Sequence, residues 1–236
     1  MLTIKVNRIL FIFLIINILR RGNRIDASCM SRNKLLRIEP PNDDQEYAPD
    51  SGADTQHIEF FGWSVAAYEN TVVIGNVEHD MNRGAVYVYD LNSNVKQELS
   101  VKYVDEGMHN DENFGYTIDI CGDTLVIGCF TEYVQPVVYV YTRKVNGDWV
   151  QTDRIFNENS GFGMSVSCFE DTIVIGSYKD TIGGSAYVYK KSKGGKFKQI
   201  DKLTASDGKK DNWFGWNVAI HSNIIVVSAW KDQSAY

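Results

Sequence analysis

The sequence contains few cysteines and few prolines, and it lacks the motifs that often accompany them. No Cys-x-x-Cys pair occurs, and the spacing of Cys29, Cys121, Cys129 and Cys168 is not typical of a zinc site. Four prolines in 236 residues exclude a collagen-like or proline-rich disordered chain. The sequence also has no Asn-x-Ser/Thr acceptor for N-glycosylation.

No apolar run is long enough to cross a bilayer, which needs about 20 residues. The longest run, Ile9 to Leu19, follows Lys5 and Arg8, and this order is typical of a secretory signal peptide. We therefore expect residues 1–28 to be a signal peptide, with cleavage after Ala27 or Ser28. Three arginines close behind the run leave a retained membrane anchor as the alternative.

The charge balance argues against polyanionic partners. The formal net charge is −6, and the part of the chain after residue 28 carries 19 basic and 29 acidic residues. Such a surface repels phosphate backbones and anionic lipid, so we expect no nucleic-acid partner.

The sequence repeats a Phe-Gly pair four times, about 50 residues apart, at Phe61, Phe114, Phe162 and Phe214. Thirteen residues after the glycine of each pair stands Gly75, Gly128, Gly176 or, in the fourth unit, Ser228. Between these points the sequence alternates apolar and polar residues and then reads TVVIG, TLVIG, TIVIG or IIVVS. This pattern predicts a hairpin whose second strand lies inside a sheet.

Two further strands complete each repeat. The third is AVYVY, VVYVY or SAYVY, and a weaker fourth carries Gln97, Gln151 or Gln199 at matching places. Units of four antiparallel strands are too small to bury both faces and must stack, which is typical of a β-propeller. In this fold the Phe-Gly glycines take positive φ or allow a close approach, and the phenylalanines fill space between blades.

The fold class is therefore all-β, with β-propeller units at about 57–104, 105–156, 157–204 and 205–236, the last one partial. Residues 29–56 form an N-terminal segment, and Asn33 to Pro41 within it resembles the outer strand at Lys202 to Gly208. It is expected to supply an outer blade strand. The propeller is expected to be incomplete, with open apolar faces such as Ile224 to Val227 that promote self-association.

The residues resemble the FG-GAP repeat family, whose blades form the propellers of integrin α-subunits and of many secreted proteins. The phrases FGMSVSCFEDTIVIG, SAYVY and KLTASDGKKDNWFGWNVAI carry the resemblance, which extends from Phe60 to Tyr236. It implies a secreted or cell-surface module that binds another macromolecule. Two features depart from the family: Gly-Ala-Pro is missing after the second strand, and a short turn replaces the Asp-rich calcium loop. We therefore expect no calcium in these hairpins and no other cofactor.

Acidic residues recur at comparable positions in the loops of the repeats. After the second strands they are Glu78, Asp80, Asp180 and Asp232, and before the Phe-Gly pairs they are Asp105, Glu106, Asp111, Glu112, Asp207 and Asp211. They could form a ligand or calcium surface. Solvated loop carboxylates are the favoured interpretation, because no Asp-x-Asp-x-Asp-Gly spacing occurs.

Aromatic residues also recur on loops. Phe130, Tyr178 and Trp230 occupy one repeat position, two residues after the second conserved glycine or serine, and Trp213 and Trp216 flank the last Phe-Gly. Exposed aromatics here suit protein or carbohydrate recognition. The alternative is that they cap the blade ends.

No catalytic constellation is visible. His57, His79, His109 and His221 share no repeat position, so no metal trio or Ser-His-acid set can be assembled. A turn at Gly122-Asp123 places Cys121 opposite Thr124 and Cys129 opposite Tyr116. We therefore expect no bond between these two cysteines, and we expect the strand cysteines to act as small hydrophobes.

Three hypotheses for function follow. The first is a secreted binding or adhesion propeller with a protein or glycan ligand, and the candidate contact residues are Asp80, Asp180, Asp232, Phe130, Tyr178 and Trp230. The second is a carbohydrate-binding protein or an enzyme with its site in a central channel. The third is a structural repeat domain of a larger protein.

Overall fold

The structure is a computed structural model that describes residues 38, 60–79, 83–93, 95–100, 113–130, 136–158, 161–180, 183–209, 211–231 and 234–235. The predicted signal peptide lies outside these residues, as does the predicted outer strand at Asn33 to Pro41 except for Ile38. The chain from Ile58 to Tyr236 forms one compact unit.

Within the described residues the chain forms β-strands arranged in four antiparallel sheets, as the repeats predict. Strand order within each sheet follows the chain, without crossovers. The first sheet contains β1 (Phe61–Tyr68), β2 (Thr71–Asn76), β3 (Ala85–Asp90) and β4 (Val95–Ser100). The second contains β5 (Phe114–Cys121), β6 (Thr124–Cys129), β7 (Val137–Arg143) and β8 (Trp149–Phe156). The third contains β9 (Phe162–Phe169), β10 (Thr172–Ser177), β11 (Ser185–Lys191) and β12 (Phe197–Leu203), and the fourth β13 (Phe214–His221), β14 (Ile224–Ala229) and β15 (Ser234–Ala235).

The hairpin turns fall where the sequence predicts them. Tyr68 pairs with Thr71 and Cys121 with Thr124, so each connection contains two residues. The first of these takes positive φ in every unit, with values between 51° and 60°, at Glu69, Gly122, Glu170 and Ser222. Such backbone geometry suits the twist of tight hairpins. A two-residue turn fixes the register of the first two strands in each sheet.

Apolar packing between consecutive sheets forms the core. Val73, Val86 and Leu99 of the first sheet pack in one cluster with Phe114 and Tyr139 of the second. Equivalent clusters join the second sheet to the third and the third to the fourth. Phe114, Phe162 and Phe214 are at most 3% exposed, which confirms that these phenylalanines fill space between blades.

The first strands of consecutive sheets lie side by side, β1 with β5, β5 with β9 and β9 with β13. Among the described strands no comparable contact joins β13 to β1, so the row of sheets is open. At the end of the row, Ile224 is 62% exposed and Val226 is 45% exposed.

Buried polar side chains join the neighbouring first strands. Asp119 on β5 accepts hydrogen bonds from the Ser167 hydroxyl at 3.0 Å and from the Cys168 amide at 2.8 Å. On the next junction, the hydroxyls of Ser165 and Ser167 accept the amide hydrogens of Val218 and Ile220 at 3.0 and 3.2 Å. Strands of different sheets form no backbone hydrogen bonds with each other in this region of the described chain. The side chains therefore accept hydrogen bonds from amides that would otherwise be buried without partners.

A disulfide also joins two sheets, and this corrects the expectation for the cysteines. Cys121 on β5 bonds to Cys168 on β9, 47 residues away. Both residues were expected to act as small hydrophobes, which is wrong because the stacking of units places the ends of β5 and β9 together. Cys129 keeps its thiol and is buried.

The predicted partner of Cys129 is also wrong. Cys129 pairs with Phe114 rather than with Tyr116, because the register shifts between Phe114 and Thr117. Counting back from the turn assumes a regular ladder, and this strand contains a bulge.

Candidate binding surface

The bulge recurs in the first strand of every sheet and lies next to the conserved glycine. The register shifts just after Phe61, Phe114, Phe162 and Phe214. The glycine that follows each of them has a φ between 82° and 92°, as the sequence predicts. A bulge re-aims the side chains around it. The residues re-aimed here, one position after the glycines, are Trp63, Tyr116, Met164 and Trp216.

Aromatic side chains from three repeat positions meet at this end of the sheets. One position precedes the Phe-Gly pair, one follows it, and one lies just beyond the second strand. We call this set the aromatic belt, and it consists of Phe60, Trp63, Tyr116, Phe130, Tyr178, Trp213, Trp216 and Trp230.

The first half of the belt crosses from the first unit to the second. The ring centroids of Phe60 and Trp63 lie 5.6 Å apart, and those of Trp63 and Tyr116 lie 5.4 Å apart. Tyr116 then contacts Phe130 at 4.9 Å. Burial raises the pKa of the Tyr116 phenol, with a smaller contribution from Tyr178. Rings from the first and second units therefore form one row of contacting side chains.

The second half of the belt is a compact cluster of four rings. Trp213, Trp216 and Trp230 stack on one another with centroid separations of 5.1 to 5.3 Å and interplanar angles of 18° to 27°. The Tyr178 ring stands edge-on to Trp213 and Trp216 at 5.2 and 4.9 Å. Both arrangements are among the favourable geometries for aromatic pairs.

The belt is partly buried and partly open to solvent. Trp63 and Trp230 are 48% and 47% exposed, whereas Phe130 is half-buried. Tyr178 is buried, so the expectation that all three loop aromatics are exposed is wrong for this residue. Tyr178 supports the cluster from below, and the exposed indoles provide its outer surface.

Two lysines lie against the cluster. Lys231 Nζ lies 3.9 Å from the centroid of Trp213, and Lys179 Nζ lies 5.4 Å from that of Tyr178. An ammonium over an aromatic face is a favourable cation–π contact. Both lysines are exposed, so two ammonium groups lie at the edge of the cluster although the chain as a whole is acidic.

Asp180 is buried, although a solvated loop carboxylate was the favoured interpretation. Its side chain accepts a hydrogen bond from the Tyr187 hydroxyl at 2.6 Å and pairs with Lys202 Nζ at 2.8 Å. Burial alone would raise the pKa of Asp180, but hydrogen bonds from Lys202 and Tyr187 outweigh it and hold that pKa below its ordinary value. The same bond raises the pKa of Lys202. Asp180 thus fixes the β10–β11 loop.

The first unit places a histidine and a glutamate at the corresponding positions. His79 occupies the repeat position of Asp180, and Glu98 lies opposite Tyr87 just as Lys202 lies opposite Tyr187. His79 Nε2 lies 3.9 Å from Glu98 Oε1, and its ring stands edge-on to Tyr87. In the first and third units this position therefore holds a loop against a buried tyrosine. Asp80 and Asp232 lie outside the described residues, and their candidate roles stay predictions.

The comparison with protein families supports the repeat assignment. The FG-GAP repeat model matches residues 51–89, 156–189 and 197–235. The chain therefore contains FG-GAP repeats. Curated protein sequences give no match to it. The second sheet, β5 to β8, lies largely between the matched stretches, yet it has the same strand order and the same Phe-Gly bulge.

FG-GAP repeats are β-propeller blades, and the four sheets are therefore blades. Among the residues that the structure describes, no group of three or more histidine, cysteine, aspartate or glutamate side chains could hold a metal ion. The absence of calcium from these FG-GAP hairpins stays a prediction, based on turns of only two residues. Within the same residues, no helix has both the length and the apolar character needed to span a membrane.

The sequence alone did not show which of these rings contact one another. Phe130, Tyr178 and Trp230 were recognised because they share a repeat position, and Trp213 and Trp216 because they flank a Phe-Gly pair. Phe60, Trp63 and Tyr116 were missed. The signal that could have found Trp63 is its match to Tyr116 and Trp216, one residue after the conserved glycine.

Proposed function

We propose that this FG-GAP protein is an extracellular binding module and that the aromatic belt is its contact surface for a macromolecular ligand. The observation that carries the proposal is the half-exposure of Trp63 and Trp230 within a belt of aromatic rings that contact one another. Exposed tryptophans are costly to leave in water, and they are frequent at the centres of binding interfaces.

The structure of the cores supports a recognition role for the belt. Blades are held together by the buried clusters between sheets, which contain none of the four tryptophans of the belt. The belt rings that are partly open to solvent therefore contribute less to blade packing than the buried phenylalanines do. Rigid aromatic side chains lose little conformational entropy when they bind, which makes them efficient contact residues.

Two observations support an extracellular location. FG-GAP repeats are typical of extracellular or surface proteins, and the Cys121–Cys168 disulfide requires an oxidising compartment to persist. The apolar run from Ile9 to Leu19 would direct export. Binding, rather than catalysis, is the activity we propose.

The experiment compares variants of the full chain produced through a secretory pathway. Trp63→Ala and Trp230→Ala are tested for binding to immobilised collagen, fibronectin and laminin and to a glycan array. Phe156→Ala is the matched control, because Phe156 is an aromatic residue of similar exposure, 45%, on β8 outside the belt.

We expect at least one probe to bind the wild-type chain, and we expect at least one of the two tryptophan substitutions to weaken that binding ten-fold or more. Phe156→Ala should bind like the wild-type chain. Equal effects of all three substitutions, or no binding to any probe, would contradict the proposal.

A further inference from the structure

In the last three units the residue before the Phe-Gly pair takes a positive φ, which favours glycine or asparagine. In the second and third units this residue is Asn113 with φ 46° and Gly161 with φ 79°. Both types tolerate the left-handed region. In the fourth unit the residue is Trp213 with φ 60°. A bulky side chain there is an outlier, because its Cβ crowds the backbone.

Trp213 is therefore strained where the repeat itself offers unstrained alternatives. The second and third units form the same bulge and the same sheet without an aromatic residue at this position. Backbone strain of this kind persists where the surroundings compensate for it, and it is concentrated at functional sites. The compensation here is visible, since the Trp213 indole stacks on Trp216 and Trp230 and contacts Tyr178.

The outer side of this cluster is suited to a flat ligand. We call Trp213, Trp216 and Trp230 the tryptophan patch. Its rings are within 27° of parallel, and Trp230 is 47% exposed. The face of an indole is electron-rich, and it attracts the weakly positive C–H groups on the face of a sugar ring.

The charges beside the patch select among ligands. Lys231 already covers Trp213, and Lys179 lies on Tyr178. A cationic ligand would be repelled by these two ammonium groups. A carboxylate or sulfate on the ligand would instead pair with them.

We propose that the tryptophan patch, with Lys179 and Lys231, binds an acidic carbohydrate, a sugar chain bearing carboxylate or sulfate groups. One sugar ring stacks on Trp230 while its acidic group reaches the lysines. This inference rests on the proposed function, since it names the ligand class of one end of the aromatic belt.

The test measures binding of the full chain to two series of oligosaccharides. The acidic probes are heparin fragments and uronic-acid oligosaccharides, and the neutral probes are glucan oligosaccharides of equal length. We expect the acidic series to bind at least ten-fold more tightly. This preference should decrease as salt is raised through 0.5 M, because salt screens exposed charges.

Trp213→Asn is the central variant, since asparagine is the residue of the second unit at this position. We expect it to fold with a melting temperature within a few degrees of the wild-type value, because relief of strain offsets the lost stacking. Its affinity for the acidic probes should fall at least ten-fold. Trp230→Ala should show the same loss, and it keeps the test decisive if Trp213→Asn folds poorly.

Lys231→Gln separates stacking from charge. It should weaken binding of the acidic probes at least five-fold more than binding of the neutral probes, and so reduce the preference for acidic ligands. Phe156→Ala should bind every probe as the wild-type chain does.

Wild-type affinity in both patch variants would overturn the inference. So would a chain that binds only matrix proteins and uses Trp63 alone, although the proposed function would then stand. A chain that binds none of the proteins and none of the glycans would overturn both proposals.

Discussion

Gly75 lies directly against the carbonyl oxygen of Gly115 in the next blade, and a side chain at Gly75 would overlap that oxygen. The same relationship joins Gly128 to Gly163 and Gly176 to Gly215. The constant interval between the two glycines in each repeat thus reflects close approach of consecutive blades. In the fourth blade Ser228 replaces this glycine, and its hydroxyl accepts the Asn217 amide hydrogen at 3.0 Å. A further blade packed on β14 in the same way would meet the Ser228 side chain.

Gly128→Ala should destabilise the protein. The added methyl would overlap the carbonyl oxygen of Gly163 and crowd Thr117 Oγ1. The expected loss is about 1–3 kcal/mol of unfolding free energy, measured by urea denaturation. Gly194→Ala is the control, since its nearest neighbour, Ser192 Oγ, would be 3.9 Å from the new carbon. Equal stability of the two variants would refute the close-approach explanation.

Reduction of the Cys121–Cys168 disulfide should lower the stability of the second and third blades. For a closed loop of 47 residues, the chain-entropy estimate is about 4 kcal/mol. A thermal melt with and without dithiothreitol measures the effect, and mass spectrometry of unreduced peptides verifies the pairing. A Cys121→Ala/Cys168→Ala variant should melt at the same temperature in both buffers. A wild-type melting temperature that is the same with and without dithiothreitol would contradict the disulfide assignment.

Asp180→Asn should lower stability near neutral pH by about 1–3 kcal/mol, because Lys202 and Tyr187 lose a charged acceptor. The lowered pKa of Asp180 means that its carboxylate stabilises the fold above the ordinary value of 3.8. This contribution disappears as pH falls through the lowered pKa. Wild-type and variant stabilities should therefore converge in acid. Asp123→Asn, in an exposed turn, is the control. If the difference in unfolding free energy between wild type and Asp180→Asn persisted at pH 2, the predicted pH dependence would be wrong.

The exposed end of the fourth blade should promote self-association. Ile224 and Val226 lie on the same face of β14 and are exposed, and open apolar strands recruit other chains. Light scattering should report oligomers of the wild-type chain and fewer of an Ile224→Lys/Val226→Lys variant. Val145→Lys is the control, because Val145 is fully exposed in the β7–β8 turn. A monomeric wild-type chain at micromolar concentration would disprove the prediction.

The strands and turns could be predicted from the sequence because they depend on local patterns. In the second blade, the alternation of apolar residues predicted the two strands, and Gly122-Asp123 predicted the turn between them. The bulge at Gly115 could not be placed, since a register counted from the turn assumes a regular ladder. Cys129 was therefore given the wrong partner.

Contacts between blades could not be predicted from local sequence patterns. Cys121 and Cys168 stand seven and six residues after the phenylalanines of consecutive repeats. These similar positions indicate a disulfide only once β5 and β9 are known to be neighbours. The burial of Asp180 likewise depends on Lys202, which reaches it from another strand. The strain at Trp213 was detectable in principle, because Asn113 and Gly161 mark the same repeat position as one that favours positive φ.

The most direct test of the account is hydroxyl-radical footprinting of the full chain with saturating heparin fragments. Oxidation of Trp230 should fall at least three-fold when the ligand is present, because the sugar covers the exposed indole. Oxidation of Phe156, which is similarly exposed outside the belt, should not change. Equal oxidation of Trp230 with and without the ligand would contradict the claim that the aromatic belt is a binding surface for acidic carbohydrate.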